Sequence, residues 1–246
     1  MLLAIGVGNS FINLGTFDGH TLERRARLLL GNPFAENWPF DRDSSFDEIL
    51  IASVNPPVSD ALEQWLRENY SAAVLLARRD FPLPIEVDCS EPDKVGVDRL
   101  LNAVAAYRLV RRECIVVDIG TALTVDAVSP EGTFLGGAIF PGAKISSEVL
   151  HSRTALLPEV WLTEAASPVG KSTVDAIAAG LYWGLAGAID RLVSEVKSAL
   201  GGSPDVIATG GDLTIIKTAS RSIDRAEPNL LLNGLRIAFE ETLGSK

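Results

Sequence analysis

Four short segments of this chain carry residues that could handle a phosphorylated ligand. Gly6-Val7-Gly8-Asn9-Ser10 ends an apolar strand in a glycine turn, and Asp118-Ile119-Gly120-Thr121-Ala122 does the same much further along. A glycine in a tight turn between strands lets backbone N–H groups approach a ligand, and nearby hydroxyls such as Ser10 and Thr121 add donors. A carboxylate at a strand end, here Asp118, can hold a cation that neutralises phosphate charge. Gly96-Val97-Asp98-Arg99 sets an acid and a guanidinium side by side at the expected start of a helix. That place favours anions, and Arg99 could take a carboxylate or phosphate through paired hydrogen bonds. Thr209-Gly210-Gly211-Asp212, between an expected strand and helix, would let a base or ribose come close.

Taken singly, each segment also has an ordinary reading: a plain hairpin, a first-turn acid in a helix, a strand–Gly-Gly–helix joint. Their arrangement says more. The apolar runs predict strands at Leu2–Val7, Phe11–Phe17, His20–Leu29 and Ile49–Val54, a helix from Pro57 to Tyr70, a strand at Ala72–Ala77 and a helix over Val97–Arg111. A polar stretch from Asn32 to Ser45 is expected to be loop. The pattern then restarts with strands at Cys114–Asp118, Leu123–Val128 and Thr133–Phe140, helices at Pro141–Leu150 and Thr173–Leu200, a strand at Val206–Thr209 and a helix over Leu230–Leu243. Two halves that each open with three meandering strands, with a glycine turn at matched positions, indicate a duplicated α/β unit. The halves are expected to divide near Arg112, as 1–112 and 113–246.

Composition narrows the partners. Of 246 residues, 47% are apolar, which is ample for a core, and 32 acids against 22 Lys and Arg give a net charge of −10. That balance repels a nucleic-acid backbone, so a small anion must be captured locally. The run Glu23-Arg24-Arg25-Ala26-Arg27 reads as a solvated strand face, and Trp38, Trp161 and Trp183 as packing residues. Cys89 and Cys114 form no metal-ligand spacing, and His20 and His151 stand isolated. The N-terminus lacks the features of a signal peptide, and no apolar run of membrane-spanning length is evident. A cytoplasmic protein with no membrane partner is expected.

Several motifs, in order and spread almost end to end, resemble the type III pantothenate kinases. Gly96-x-Asp98-Arg99 followed by Leu100-Leu101-Asn102-Ala103 is similar to their substrate motif. Val116 through Thr124 resembles their second phosphate motif, and Gly136-Gly137-Ala138-Ile139-Phe140-Pro141-Gly142 their glycine-proline segment. Gly170-x-x-Thr173, with Gly180 and Gly184, and the ending Pro228 through Leu235 fit as well. The resemblance implies duplicated ribonuclease H-like (actin-like ATPase) domains with mixed five-stranded sheets flanked by helices. It implies ATP-dependent phosphorylation of pantothenate to 4'-phosphopantothenate, the first step of coenzyme A biosynthesis, by a homodimer whose active site lies near the subunit interface. The expected cofactors are ATP, Mg²⁺ and a monovalent cation, K⁺ or NH₄⁺. Asp98 would accept the proton from the pantothenate hydroxyl. Gly96, Val97, Asp98, Arg99 and Thr173 would bind pantothenate. Gly6, Val7, Gly8, Asn9, Ser10, Phe11, Ile12 and Asn13 would form the first phosphate loop. Thr121, Gly210 and Gly211 would contact the nucleotide, and Asp118 would hold the monovalent cation.

One position departs from that family. Its first motif reads Asp-x-Gly-Asn-Thr, the Asp helping to hold the metal–nucleotide complex, and this chain has Gly6 there and Ser10 for the threonine. A serine hydroxyl can replace the threonine; a glycine cannot replace a carboxylate. Losing one preorganised electrostatic group commonly costs about 10²–10³ in rate. Asp126 could support the metal through water instead, the chain could be an impaired homologue with a binding or regulatory role, or Gly6 could differ from the natural residue.

Two rival readings remain. Ala165-Ala166-Ser167-Pro168-Val169-Gly170-Lys171-Ser172 fits a relaxed Walker A pattern in which Lys171 would meet the β- and γ-phosphates. Pro168, however, lacks an N–H that such a loop uses, and Ala165 is a poor turn residue beside glycine. A non-enzymatic binding protein is the other.

Overall fold

The computed structural model describes residues 1–31, 36–165 and 167–243; residues 32–35 of the expected loop and Ala166 of the Walker-like run lie outside the described residues. By its internal contacts the chain forms two compact units. One comprises Met1–Ile85, Glu91–Ala105 and Asn229–Lys246, the other Glu86–Ser90 and Ala106–Pro228.

In the first unit, strands β1 (Leu2–Val7), β2 (Phe11–Asp18), β3 (Thr21–Leu29), β4 (Glu48–Ser53) and β5 (Ala73–Leu76) form one sheet in the order β3-β2-β1-β4-β5. The meander β1-β2-β3 is antiparallel, because a short turn can join only antiparallel neighbours. Strands β4 and β5 continue the sheet in parallel. Helix α1 (Pro56–Asn69), with proline in its first turn, packs Leu62 and Leu66 against Leu3, Ile5, Ile12 and Leu14 on one sheet face. The opposite face carries Ala4, Phe17, Leu50 and Ala52 and is covered by Val97 and Leu101 of α2 (Val97–Val110) and by Leu232, Leu235 and Ala238 of a helix spanning Leu230–Thr242.

The second unit repeats the plan. Its strands β6 (Cys114–Ile119), β7 (Ala122–Val128), β8 (Phe134–Pro141), β9 (Asp205–Thr209) and β10 (Arg225–Ala226) lie in the order β10-β9-β6-β7-β8. Again the first three form an antiparallel meander, and the last two add in parallel. Helix α3 (Ala143–Arg153) precedes α4 (Thr173–Leu200), and the short α5 (Leu213–Ile216) follows β9. Both expected five-stranded mixed sheets are therefore present.

Every strand but β10 falls where the apolar runs predict one. By length and composition alone α4 is long and apolar enough to cross a membrane. Here its Tyr182, Leu185, Ile189 and Val193 pack on Ile115, Val117, Val125 and Val206 of the second sheet. The closing helix, α6 (Leu230–Thr242), was grouped with the second half; it packs on β1, β2 and β4 of the first sheet. Gly234 lets α6 lie close against α2, since a Cβ there would lie 2.1 Å from the Leu101 carbonyl oxygen.

Candidate functional site

In the first unit the β1–β2 hairpin is closed by the Gly8 N–H donating to the Phe11 carbonyl at 2.9 Å, with Asn9 exposed at its tip. The Val54 N–H, just past β4, donates to the Val7 carbonyl at 3.0 Å. The hairpin thus stands at the carboxyl ends of two parallel strands, where open α/β sheets take their ligands.

The Gly96–Arg99 segment belongs to the same region. Asp98, half-buried in the first turn of α2, accepts the Arg99 N–H on Oδ1 at 2.8 Å. A Cβ on Gly96 would lie 2.5 Å from that Oδ1 and 3.8 Å from Cγ1 of Val54. The glycine therefore lets the carboxylate fold back beside the strand end that supports the hairpin. Burial holds the Asp98 carboxyl above its ordinary pKa, while the Arg99 N–H and guanidinium pull the other way. Of the residues expected to act, Gly6–Asn13 and Gly96–Arg99 are thereby brought together within this unit.

Gly6 is buried, and its neighbour explains how the fold accommodates it. A Cβ there would lie 2.5 Å from Cδ2 of Leu231, near the start of α6. A leucine methyl occupies the space that a carboxylate stem would need.

In the second unit, Asp118 sits near the end of β6, with Thr124 directly opposite on β7 and Thr209 opposite on β9. Residues so paired share a sheet face. The Thr124 Oγ1 is buried with no hydrogen-bond partner, an oxygen left over beside a carboxylate. The following turn is closed by the Gly120 N–H donating to the Ala122 carbonyl at 3.1 Å. Two glycines press on it. Gly142 donates its N–H to the Thr121 carbonyl at 3.2 Å, and a Cβ there would lie 2.2 Å from the Gly120 carbonyl oxygen. Gly210, at φ +105°, leaves no room for a Cβ against the Ile119 backbone, and the Asp212 N–H donates to the Ile119 carbonyl at 2.9 Å. Asp118, Thr121, Gly210 and Gly211 therefore converge on one hairpin.

Thr173 is the exposed first residue of α4, behind the Ser172 hydroxyl that accepts the Asp175 N–H at 3.1 Å. Asp126 is 1% exposed, with Gly137 opposite leaving space for its carboxylate. Among the described residues no cluster of three or more His, Cys, Asp or Glu forms a metal site. Cys114 is buried, which pushes its thiol up to about 12 and makes it a poor nucleophile. The Walker-like run fails in context: residues 157–165 before it form no strand, and Gly170 is packed against the Asp175–Ala176 backbone of α4. Leu231 and Thr124 lie inside segments that resemble family motifs, but sequence reasoning gave neither a role, because an apolar residue in a helix and a threonine in a strand give no functional signal of their own.

Two meander-led sheets, each with a glycine hairpin at its first turn, define the actin-like ATPase fold, and solved structures agree. The chain superposes on a conserved Baf-family protein of Campylobacter jejuni with a TM-score of 0.59 at 20% identity, covering 97% of this chain and 98% of that one. It superposes on the activator of 2-hydroxyisocaproyl-CoA dehydratase from Clostridium difficile, a structure with bound ADPNP, with a TM-score of 0.52 at 12% identity, covering 98% and 94%. Residues 2–195 match the family model for type III pantothenate kinase. Type III pantothenate kinases of Syntrophus aciditrophicus and Anaeromyxobacter sp. are 37% and 38% identical to it, each alignment covering 98% of this chain and 99% of the relative. The chain belongs to the type III pantothenate kinase family.

Proposed function

We propose that this protein transfers the γ-phosphoryl group of ATP to the hydroxyl of pantothenate, giving 4'-phosphopantothenate and ADP at the entry to coenzyme A biosynthesis. Family membership supports the reaction, and the observation that carries the site is Asp98: a desolvated carboxylate on a helix N-terminus, folded back over Gly96 beside the first hairpin. Its raised pKa brings it nearer the operating pH, as a general base requires. Asp98 takes the hydroxyl proton as the oxygen attacks phosphorus. Gly96, Val97, Arg99 and Thr173 bind pantothenate, the Arg99 guanidinium suiting its carboxylate. The Gly6–Asn13 hairpin and Thr121, Gly210 and Gly211 bind the nucleotide. Phosphoryl transfer asks the protein chiefly for positioning and charge neutralisation.

The donors around Asp118 fit a monovalent cation. A carboxylate and the unsatisfied Thr124 hydroxyl form an all-oxygen set. Such an ion would neutralise phosphate charge. At Gly6 the residues do not fit Mg²⁺, because no carboxylate is present and Leu231 fills the space. That observation favours a second reading, a catalytically impaired homologue with a binding or regulatory role. A homodimer belongs to the same proposal, supported by the exposed α4 face bearing Val174, Gly180, Trp183, Gly184 and Gly187; so does a cytoplasmic location, supported by the free thiols of Cys89 and Cys114.

Phosphorus NMR of the protein with ATP, Mg²⁺, K⁺ and pantothenate tests the proposal. A new phosphomonoester signal matching 4'-phosphopantothenate is expected. Tight ATP and pantothenate binding with no such signal would select the impaired reading, and binding of neither would refute both.

A further inference from the structure

Asp98 can meet a hydroxyl only where the chain entering α2 puts it, and a side chain from another part of the first unit grips that entry. The chain arrives through a single 3₁₀ turn, Pro92–Lys94, closed by the Val95 N–H donating to the Pro92 carbonyl at 3.3 Å. So short a turn leaves carbonyl capacity unused at its end. The Arg78 guanidinium takes it up. Nη1 donates to the Val95 carbonyl at 2.6 Å and Nη2 to the Pro92 carbonyl at 2.9 Å, while Nη1 also lies 3.4 Å from the Asp93 carbonyl oxygen. Gly96, over which the Asp98 carboxylate folds, is the very next residue after Val95.

The other end of this contact is equally fixed. Just past β5, the Ala77 N–H donates to the Ile51 carbonyl and the Arg78 N–H to the Phe81 carbonyl, both at 2.8 Å. Phe81 is buried in one cluster with Val97, the first residue of α2. Arg78 itself has φ +69°, a left-handed conformation that is costly for a residue with a β-carbon and persists where its surroundings enforce it. A guanidinium suits the task, because its planar fork presents N–H groups to two acceptors at once, whereas an ammonium is a single point. Arg79, next in the chain, is committed elsewhere: it donates to the carboxylates of Glu63 at 2.7 Å and Asp80 at 2.9 Å.

We infer that Arg78 is a positioning residue for the phosphoryl transfer: by clamping the Pro92 and Val95 carbonyls it holds Gly96 and Asp98 in place beside the first hairpin. The inference rests on the role given to Asp98 above. Arg78 acts through the backbone, and no proton or bond changes at it.

Steady-state kinetics across pH and amide hydrogen exchange of the full-length protein test it, with Arg78→Gly, Arg78→Lys and Arg79→Gln beside the wild type. Glycine accepts the left-handed backbone while removing the clamp, so Arg78→Gly should stay folded by circular dichroism. Its kcat should fall about 10- to 100-fold, the penalty of a displacement near 1 Å, with the KM for ATP unchanged. The acid limb of its kcat/KM profile should move to lower pH, because a loosened Asp98 regains contact with water. Arg78→Lys keeps the charge without the fork and should recover little of the rate, and Arg79→Gln should match wild type. Exchange of the amides from Val95 to Leu100 should quicken in Arg78→Gly and in no distant segment. Unchanged kcat or an unmoved acid limb in Arg78→Gly, full activity in Arg78→Lys, or an equal loss in Arg79→Gln would overturn the assignment alone. A wild-type protein that does not phosphorylate pantothenate would remove the role of Asp98; exchange then decides the clamp by itself, and unaltered exchange from Val95 to Leu100 would overturn it.

Discussion

Leu231 stands against the α-carbon of Gly6, its Cδ2 only 2.5 Å from where a β-carbon would be. Glycine at position 6 and leucine at position 231 are thus a matched pair. Installing Asp at position 6 should destabilise the protein by about 1–3 kcal/mol, since a new stem must displace a packed methyl. Gly6→Asp combined with Leu231→Ala should cost less than the separate changes added together. Chemical denaturation of all four forms measures this coupling, and strictly additive losses would contradict it.

The same pair bears on turnover. With room made by Leu231→Ala, the Gly6→Asp carboxylate should raise kcat by up to about 10²-fold, the range reported for single preorganised groups. It should also make ATP binding more dependent on Mg²⁺. A double variant no faster than the native protein would show that position 6 does not limit the reaction.

Asp98 has its pKa raised by burial, and the sign of its effects follows. Between the unfolded and folded pKa values the native state binds more protons than the unfolded state, so stability falls as pH rises through that window. Above it, the ionised carboxylate is a net cost. Asp98→Asn should therefore raise Tm at neutral pH. The wild-type kcat/KM should fall as pH drops through a pKa above the ordinary Asp value of about 3.9. A lower Tm for Asp98→Asn, or an inflection at or below that value, would contradict this environment.

Gly96→Ala puts a β-carbon against Asp98 Oδ1. The carboxylate can swing away, so the fold should survive by circular dichroism while kcat drops about 10- to 100-fold, the penalty of a displacement near 1 Å. Unchanged kcat would mean that the folded-back geometry is not the reactive one.

Thr124→Val separates ion binding from packing. The apo protein should be as stable as wild type or slightly more so, because an unsatisfied buried hydroxyl is replaced by a methyl of similar shape. Its stabilisation by K⁺ should be weaker. A thermal-shift titration with KCl against a choline chloride control reads both, and an unaltered K⁺ response would remove Thr124 from the cation site.

Much of this architecture could be read in advance, for local reasons. The meanders were legible because apolar runs stop at glycine or Asp-Gly turns, as at Gly8, Gly19 and Gly120. Asp98 and Arg99 stood out because an acid and a guanidinium side by side at a helix N-terminus can serve an anion, and because Gly96-x-Asp98-Arg99 resembles a family motif. Strand β10 was illegible. It is two exposed residues, Arg225 and Ala226, that exist as a strand only through pairing with Ile207 and Ala208. The destination of α6 was equally hidden, since its docking on the first sheet depends on contacts between residues more than a hundred positions apart. The fit of Leu231 to Gly6 and the spare hydroxyl of Thr124 are properties of packing, and no spacing rule announces them.

The most direct measurement is the initial rate of ADP formation with ATP, Mg²⁺, K⁺ and pantothenate for the native protein and for Asp98→Asn. We expect pantothenate-dependent turnover in the native protein and a fall of about 10²–10⁴ in kcat for the variant, the usual share of a general base, with ATP affinity retained. Equal rates in the two proteins would contradict the role given to Asp98, and native turnover that ignores pantothenate would contradict the substrate.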